Sequence, residues 1–343
     1  MTTHTPRITV LMPVHNAGPF LREAIESVLG QSFRDFELLI LDDGSTDDSI
    51  AIVCSYDDPR VRLEVGDANM GVAATLNRGL DLATGEYVAR MDADDLCRRN
   101  RLATQVAFMD AHPEIGLSGT RALAFGAERY LIRHPSEPER IRCRLLFDTA
   151  FAHPTVIFRR SLMEAHGLRY GALRHFEDLE LWQRASACFP CANLDEVLLD
   201  YRVTGGSAFH GAGEAERREC YRRIDRSALE RFGIQPTEDE LDRHHDLRRP
   251  EQATDLDGLE AWLIKLRETN GQRGVYSPAV FGAMLADYWF VACSSAPGWA
   301  GARWERFARS PLSSSAPARW RKRARCLMRS LAPQAPAQPA ITH

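Results

Sequence analysis

The stretch Tyr87-Val88-Ala89-Arg90-Met91-Asp92-Ala93-Asp94-Asp95 joins a short, mostly apolar run to three carboxylates within four residues. An apolar run of this length after a glycine is typical of a buried strand, and ligands of open α/β sheets bind outside the carboxyl ends of the strands. Clustered carboxylates repel one another and are stable mainly around a cation or hydrogen-bond donors. The stretch therefore predicts a Mg²⁺ or Mn²⁺ site formed by Asp92 and Asp94. A solvated acidic turn or a helix cap is the alternative, most directly for Asp95.

Earlier segments repeat this arrangement of a strand followed by polar residues. Apolar runs predict strands at 8–12, 36–41 and 61–65, and helical spacing of apolar residues predicts helices at 20–29 and 72–83. Ser45 and Asp48 predict a capping box for a helix between the second and third strands. The resulting β-α-β-α-β-α-β series predicts an α/β fold with a mainly parallel sheet and right-handed crossovers.

Parallel strands place all their carboxyl ends at one edge of the sheet, so residues that are distant in sequence should meet there. The residues concerned follow three different strands: Pro13, His15 and Asn16; Asp42 and Asp43; and Asp92 and Asp94. No GxGxxG or GxxxxGK[ST] pattern is present, so dinucleotide and P-loop sites are not indicated. An acidic cleft binds a nucleotide diphosphate through a bridging cation, with Asp43 and Asp92 accepting hydrogen bonds from the base and ribose.

Composition narrows the class of protein further. The chain has 343 residues and a formal net charge of −4, which argues against nucleic acid as a partner. Its eight cysteines follow no framework spacing and no signal-peptide pattern precedes the first strand, so we expect a cytoplasmic location. The apolar tract at 281–293 is too short to span a bilayer.

Taken together, eight motifs resemble those of the family 2 glycosyltransferases, which have the GT-A fold. They occur in the family's order between about residues 7 and 205: Pro13-Val14-His15-Asn16, Asp42-Asp43-Gly44-Ser45, Asn69-Met70-Gly71, Gly85-Glu86-Tyr87, Asp92-Ala93-Asp94-Asp95, His153-Pro154-Thr155, Glu177-Asp178-Leu179-Glu180-Leu181-Trp182 and Tyr201-Arg202. The resemblance implies a Rossmann-like, mainly parallel central sheet flanked by helices. It also implies inverting transfer of a sugar from a nucleotide diphosphate.

The resemblance implies a role for each matching residue. Asp43 would contact the base, usually uracil; Asp92 would contact the ribose; and Asp94 would bind Mn²⁺ or Mg²⁺. Asp178, with Glu177 beside it, would be the general base that deprotonates an acceptor hydroxyl. A sugar hydroxyl is a poor nucleophile, so removal of its proton by a base would accelerate transfer. The other residues implied at the nucleotide-sugar site are Pro13, His15, Asn16, Asp42, Asn69, Gly71 and Ala93.

Some assignments have structural alternatives. His15 stands where the family usually has tyrosine, which affects how the base is held. Glu177 and Asp178 could be ordinary acidic residues at a helix N-terminus. On the acceptor or phosphate side, His153 could only shape a turn, Trp182 could pack in the core, and Arg202 could pair with a surface acid.

The chain is expected to have three parts. Residues 1–205 would form the GT-A domain, with nucleotide-sugar binding in 7–125 and the acceptor and catalytic part in 126–205. Residues 206–315 would be helical, with helices at 214–232, 238–246, 256–268 and 278–293. Residues 316–343 would be a basic amphipathic segment and a Pro/Ala-rich tail. The segment 316–331 is typical of a peripheral contact with an anionic membrane on its cytoplasmic face, and a solvated tail is the alternative.

The sequence thus predicts a metal-dependent inverting glycosyltransferase. It would move a sugar, most simply from a UDP-sugar, to a hydroxyl of a glycan or lipid-linked acceptor in cell-surface polysaccharide biosynthesis. One alternative is a sugar nucleotidyltransferase, although no basic glycine-rich loop follows the first strand. The other is a catalytically silent protein that binds nucleotide sugars.

Overall fold

A computed structural model describes residues 5–204 and 213–315. The chain divides into two compact units, Met1–Ala228 and Leu229–His343. The predicted boundaries at 205 and 315 stay predictions, and the predicted basic segment 316–331 lies outside the described residues.

The first unit alternates strands and helices along its first half, as the sequence predicts. Its elements are, in chain order, β1 (Ile8–Val14), α1 (Gly18–Leu29), β2 (Phe36–Asp42), α2 (Ser49–Cys54), β3 (Val61–Val65), α3 (Val72–Leu82), β4 (Tyr87–Arg90), β5 (Leu96–Cys97), α4 (Arg101–Ala111), β6 (Leu117–Gly126), β7 (Leu131–Ile132), α5 (Pro138–Leu145), β8 (Ile157–Arg159), α6 (Arg160–Ala165), α7 (Glu177–Cys188) and β9 (Cys191–Val203). A short 3-10 helix covers His153–Thr155.

The strands form one sheet in the order β3-β2-β1-β4-β8-β6-β9-β5, with β7 paired to β6. Strands β1 to β4 pair in parallel, while β8 pairs antiparallel with both β4 and β6. The predicted α/β fold with a largely parallel sheet is therefore confirmed. The antiparallel strand β8 comes after the part of the sequence in which strands and helices alternate regularly.

The two faces of the sheet are buried in two hydrophobic clusters. In β1, Val10 and Met12 belong to one cluster while Leu11 belongs to the other, because successive side chains of a strand point to opposite faces. Helix α3 approaches the second face closely: a Cβ at Gly79 would lie 2.2 Å from Leu11 Cδ1. This packing holds the strands, and hence the loops at their carboxyl ends, in fixed positions.

The predicted capping box of Ser45 and Asp48 is wrong. Asp48 occupies the N-cap of α2 without a side-chain hydrogen bond. Instead, the Asp47 carboxylate accepts from the backbone N–H groups of Ser49 (3.0 Å) and Gly18 (2.9 Å), so it ties α2 to the start of α1. The Ser45 hydroxyl accepts from Asn16 N at 3.0 Å.

The remaining helices confirm the predicted helical character of the region after residue 213. They are α8 (Glu214–Phe232), α9 (Glu238–Asp246), α10 (Leu256–Arg273), α11 (Pro278–Ser295) and α12 (Ala300–Arg309), of which the sequence analysis missed only α12. Thr237 and Glu240 form a capping box at the start of α9. Among the described residues, no helix combines the length and apolar character needed to cross a membrane.

Candidate active site

The loops after β1, β2 and β4 meet at one edge of the sheet. Strand register fixes this arrangement, since Val14 lies opposite Asp42 and Leu11 lies opposite Arg90. The backbone N–H of Asp43 donates to Val14 O at 2.8 Å, and that of Met91 donates to Leu11 O at 3.0 Å. The residues that follow each strand are therefore brought together, as the parallel topology predicts.

His15, Asn16, Asp43 and Asn69 form a connected group, here called the His15 cluster. His15 Nδ1 lies 2.9 Å from the carbonyl oxygen of Asp43, and Nε2 lies 3.1 Å from the Asn69 side-chain nitrogen and 3.3 Å from that of Asn16. A carbonyl only accepts, so Nδ1 carries the proton and Nε2 accepts from the amides. The exposed imidazole thus joins three loops and presents a flat ring at the sheet edge.

The carboxylate of Asp43 holds the loop at 69–71. Its Oδ1 accepts from Met70 N at 2.8 Å and its Oδ2 from Gly71 N at 2.9 Å. Gly71 has φ 88° and Gly44, next to Asp43, has φ 72°, a region that favours glycine. Each carboxylate oxygen retains a further lone pair that could accept an N–H of a base.

Asp42 and Asn16 shape the same edge through their own backbone contacts. Asp42 is buried, and its Oδ2 accepts from the N–H groups of Gly44 (3.1 Å) and Ser45 (3.0 Å), so it stabilises the turn after β2. Asn16 has φ 51°, and its Oδ1 accepts from Thr46 N at 2.8 Å. Pro13 is half-buried within β1, opposite Leu41.

Replacing Asp43 by asparagine is expected to destabilise the protein. The introduced NH₂ would face a backbone N–H of the 69–71 loop, and the loss of a buried acceptor costs about 1–3 kcal/mol. The measurement is the free energy of unfolding in urea. Asp67→Asn, at an exposed position in the same connection, is the control and should stay within about 0.5 kcal/mol of wild type. Equal unfolding free energies for the two variants would contradict this role of Asp43.

Asp92, Asp94 and Asp95, here called the acidic loop, offer ligand atoms that all lie within 4.8 Å of one another. Asp92 and Asp94 are half-buried, whereas Asp95 is 1% exposed. Burial, together with the charge of Asp92, raises the pKa of Asp94 to about 6 and also raises the pKa of Asp95. Close carboxylates that are difficult to ionise together fit a divalent cation. Asp92 and Asp94 are the accessible ligands, and Ala93 lies between them.

Arg202 holds the acidic loop from β9. Its backbone N–H donates to Asp95 Oδ1 and its Nε donates to Asp94 O, both at 2.7 Å. The same guanidinium pairs with Glu23 at 2.6 Å and lies 4.5 and 4.6 Å from the ring centroids of Phe20 and Phe125. These contacts make Arg202 a support of the acidic loop, a role that the sequence analysis did not assign to it.

Glu177 and Asp178, here called the acid pair, begin helix α7. The preceding Phe176 has φ 60° and stacks on Tyr221 at 3.9 Å between ring centroids. Phe176 and Asn16 are the two non-glycine residues with positive φ in 5–204 and 213–315, and both adjoin predicted site residues. Asparagine adopts this conformation readily, whereas for the bulky Phe176 it is strained; such strain persists only where the surroundings enforce it and is frequent at functional sites.

The acid pair is influenced by the charge of the acidic loop. Burial, followed by the charge of Asp178, raises the pKa of Glu177 to about 7. Burial also raises the pKa of Asp178. The negative charge of Asp92 raises the pKa of both carboxyl groups, and the positive charge of Arg90 lowers both. The carboxylates after β4 and at the start of α7 therefore share one electrostatic environment.

Two further predicted residues are His153, which lies next to Glu177 of the acid pair, and Trp182, which lies in the core. His153 Nε2 lies 3.0 Å from the Tyr170 hydroxyl, and its Nδ1 lies 3.9 Å from Glu177 Oε1. Burial lowers the pKa of His153 well below its usual value, so the ring is neutral near pH 7. Trp182 is fully buried and packs edge-on against His153 and Tyr170. Trp182 therefore packs in the core, which is the alternative stated for it above.

Sequence reasoning missed Arg90 and Tyr170. Arg90 is 5% exposed and forms an ion pair with Asp92, and Tyr170 is buried between His153 and Trp182. A charged residue at the end of an otherwise apolar strand was the available signal for Arg90. Tyr170 gave none, because its partners lie in other segments of the chain.

Comparisons with known proteins agree with this geometry. Residues 9–167 match the family described as Glycosyl transferase family 2. EpsE of Bacillus subtilis is 36% identical over 209 residues, which cover 57% of this chain and 73% of EpsE. The amylovoran biosynthesis glycosyltransferase AmsE of Erwinia amylovora is 33% identical over 189 residues, which cover 53% of this chain and 70% of AmsE.

Solved structures share the fold. S. aureus TarS 1-349 in complex with UDP-GlcNAc superposes with a TM-score of 0.57 at 18% identity, covering 84% of this chain and 91% of that one. The mannosyltransferase PcManGT of Pyrobaculum calidifontis, in complex with GDP-Man and Mn²⁺, has a TM-score of 0.54 at 21% identity, covering 85% and 88%. The predicted GT-A fold is thereby confirmed. The family match and the two relatives show that the chain belongs to glycosyl transferase family 2 and is a glycosyltransferase, not a sugar nucleotidyltransferase.

Proposed function

We propose that this enzyme transfers a sugar from a UDP-sugar to a hydroxyl of a glycan or lipid-linked acceptor, with inversion and with a divalent metal, in cell-surface polysaccharide biosynthesis. The observation that carries the proposal is the acidic loop, whose three carboxylates offer ligand atoms within 4.8 Å of one another at the sheet edge that also bears the His15 cluster. The biosynthetic role is supported by the similarity to AmsE, a glycosyltransferase of amylovoran biosynthesis.

The donor is proposed to bind with its base at the His15 cluster. The free lone pairs of the Asp43 carboxylate suit an N–H of a base, and the imidazole of His15 offers a surface for stacking. The structures of TarS with UDP-GlcNAc and of PcManGT with GDP-Man support a nucleotide diphosphate donor as a class. The ribose is then proposed to contact Asp92 of the acidic loop.

The metal is proposed to be held by Asp94 and Asp92, with Asp95 kept out of the ligand set by its burial and its bond from Arg202. A bound Mn²⁺ or Mg²⁺ supplies positive charge to the leaving diphosphate. Asp92 and Asp94 need to be ionised for this role, so their proximity to Arg90 is favourable. The presence of Mn²⁺ in the PcManGT complex is consistent with this donor set.

Asp178 is proposed to be the general base. It is the more exposed member of the acid pair, while Glu177 is buried beside His153. The carboxylate of Asp178 accepts the proton of the acceptor hydroxyl as its oxygen attacks the anomeric carbon from the face opposite the diphosphate. A single displacement of this kind inverts the anomeric configuration. The raised pKa of Asp178 makes it a stronger base than an exposed aspartate.

The reaction is proposed to take place on the cytoplasmic side of the cell membrane. The contact of 316–331 with an anionic membrane stays a prediction, because this segment lies outside the described residues.

A screen of donors tests the proposal. UDP-glucose, UDP-GlcNAc, UDP-galactose and GDP-mannose are added with Mn²⁺ or with EDTA, and thermal unfolding is followed. A ligand that binds only the folded state adds about 2.7 kcal/mol of stability at 100 times its dissociation constant. We expect at least one UDP-sugar to raise the melting temperature with Mn²⁺ and to lose most of that effect in EDTA.

UMP is the control ligand for the screen, since it has the base and ribose but no diphosphate. We expect its effect to be small and independent of Mn²⁺. A screen in which no nucleotide sugar raises the melting temperature would overturn the proposed donor class.

A further inference from the structure

Helix α7, whose first two residues are the acid pair, begins in an unusual way. Its N-cap is Phe176, which forms no side-chain hydrogen bond and has φ 60° and ψ 28°. N-cap residues are commonly Ser, Thr, Asp or Asn in an extended conformation, because their side chains accept from the free N–H groups of the first turn. A bulky residue in the left-handed region is an outlier. The local sequence therefore does not account for the start of α7, and contacts with other segments have to hold it.

Helix α8 provides such contacts. The ring of Phe176 stacks on that of Tyr221, with 3.9 Å between the centroids and 25° between the planes. The two residues before Phe176 both reach Glu216 of α8: Arg174 Nη1 donates to its Oε1 at 3.1 Å, and His175 Nε2 lies 3.7 Å from the same oxygen. Each of the three residues directly ahead of the acid pair is therefore in contact with α8.

Helix α8 has its own anchor at these positions. Ile224, three residues after Tyr221, is 2% exposed and belongs to the second hydrophobic cluster, against which Phe176 and Tyr221 also pack. Residues 214–228 of α8 are part of the same compact unit as α7. The ring stack is therefore an internal contact of the first unit, and the core supports it from behind.

The segment before α7 is also fixed at its other end. The Asn77 side chain on α3 forms two hydrogen bonds with the backbone of Tyr170: its Oδ1 accepts from Tyr170 N and its Nδ2 donates to Tyr170 O, both at 2.9 Å. Residues 171–176 thus run between two anchors, one on α3 and one on α8. The path of this short segment determines the direction in which the chain enters α7.

We propose that Tyr221 is a positioning residue for glycosyl transfer: its ring holds Phe176 in the left-handed conformation that places the Asp178 carboxylate for the acceptor hydroxyl. The inference rests on the proposed function, in which Asp178 is the general base. The body of α7 is fixed independently, because Leu181 and Trp182 are fully buried. Without the stack, Phe176 would relax to a negative φ, and the first turn would change its path while the rest of the helix stays in place.

The test compares Tyr221→Leu, Tyr221→Phe and the control Phe108→Leu. Phe108 is half-buried on α4, packs against the first hydrophobic cluster and lies 4.6 Å from His112 between ring centroids, so the control removes a similar ring contact on another helix of the same unit. UDP release from UDP-GlcNAc and GDP release from GDP-mannose are measured with Mn²⁺. In Tyr221→Leu we expect kcat to fall about 10²-fold, as for other losses of positioning, while KM for the donor stays near the wild-type value.

The other two variants separate positioning from stability. Tyr221→Phe keeps the ring, so it should restore the kcat of wild type. Phe108→Leu should lower the melting temperature without changing kcat. A Tyr221→Leu enzyme with the kcat of wild type would overturn the proposal.

Hydrogen exchange of backbone amides, followed by mass spectrometry, is a second readout that needs no substrate. The N–H of Glu180 donates to Phe176 O at 3.2 Å, so exchange in the first turn of α7 reports directly on the position of Phe176. We expect peptides covering 177–181 to exchange faster in Tyr221→Leu than in wild type, and peptides covering 183–188 to exchange at the wild-type rate. Phe108→Leu should match wild type in both regions. Unchanged exchange at 177–181 in Tyr221→Leu would also overturn the proposal.

The two readouts separate failure of this inference from failure of the proposed function. If wild type releases neither nucleotide, the donor part of the proposed function fails, and exchange alone decides whether Tyr221 holds the first turn of α7. If Tyr221→Leu does not fold, Phe176→Gly and Phe176→Ala take its place. Glycine adopts the left-handed conformation without strain, so Phe176→Gly should have the higher kcat and the slower exchange at 177–181. Equal values for the two variants, or the reverse order, would then overturn the proposal.

Discussion

Asp178→Asn is expected to lower turnover by about 10²–10⁴-fold, the usual range for loss of a general base. Donor binding should remain close to wild type, because Asp178 lies at the start of α7 and outside both the His15 cluster and the acidic loop. The amide has nearly the shape of the carboxylate but does not accept a proton at neutral pH. Turnover is measured as nucleotide release with Mn²⁺, and donor affinity by calorimetry.

Glu180→Gln is the matched control for this prediction. Glu180 is a third acid in the first turn of α7, and it pairs with Arg184 on the same helix. If the acids at this helix end served only the macrodipole, both substitutions would cost stability by about 0.3–1 kcal/mol and leave turnover alone. We expect only Asp178→Asn to lose activity. Normal turnover by that variant would show that Asp178 is not the base.

Asp94→Asn is expected to have the second largest effect. It removes one of the two accessible carboxylates of the acidic loop, so Mn²⁺ should bind more weakly and kcat/KM should fall about 10²–10³-fold, as when one stabilising group for transition-state charge is lost. Mn²⁺ affinity is measured by electron paramagnetic resonance or calorimetry. Asp81→Asn, on exposed surface of α3, is the control and should bind Mn²⁺ as wild type does.

The same carboxylate predicts a pH dependence in wild type. The pKa of Asp94 is about 6, and a metal ligand has to be deprotonated. Apparent Mn²⁺ affinity should therefore be nearly constant above pH 7 and decline as pH falls below about 6. An Asp94→Asn enzyme that keeps the affinity and the pH dependence of wild type would remove Asp94 from the metal site.

The sequence predicted the parallel half of the sheet because that part is encoded locally. Up to Arg90, apolar runs alternate with stretches of helical spacing, and this pattern predicted the bounds of each strand and helix to within a few residues. Parallel topology then implied that His15, Asp43 and Asp92 meet, although they lie up to 77 positions apart. The placement of β8 between β4 and β6 was beyond this reasoning, since antiparallel insertion depends on long-range packing and β8 has only three residues.

The candidate site was predictable as a set of acids but not as a set of contacts. Motif order predicted Asp178 as a site residue, whereas the role of Arg202 arises from partners in other segments, such as Glu23 and Phe125. For Asp42, the sequence predicted a place in the nucleotide-sugar site, whereas in the structure its carboxylate oxygen Oδ2 accepts hydrogen bonds from the turn after β2. Local sequence patterns indicate which residue types are present at a site, and tertiary packing determines which of their atoms remain free to bind a ligand.

The most direct test of the account is a calorimetric titration of UDP into the Asp178→Asn enzyme, in Mn²⁺ and again in EDTA. We expect clear binding with Mn²⁺ and binding weaker by about tenfold or more in EDTA, because an acidic cleft repels a diphosphate that no cation bridges. Equal affinity under the two conditions would contradict the claim that Asp92 and Asp94 hold the donor through a metal.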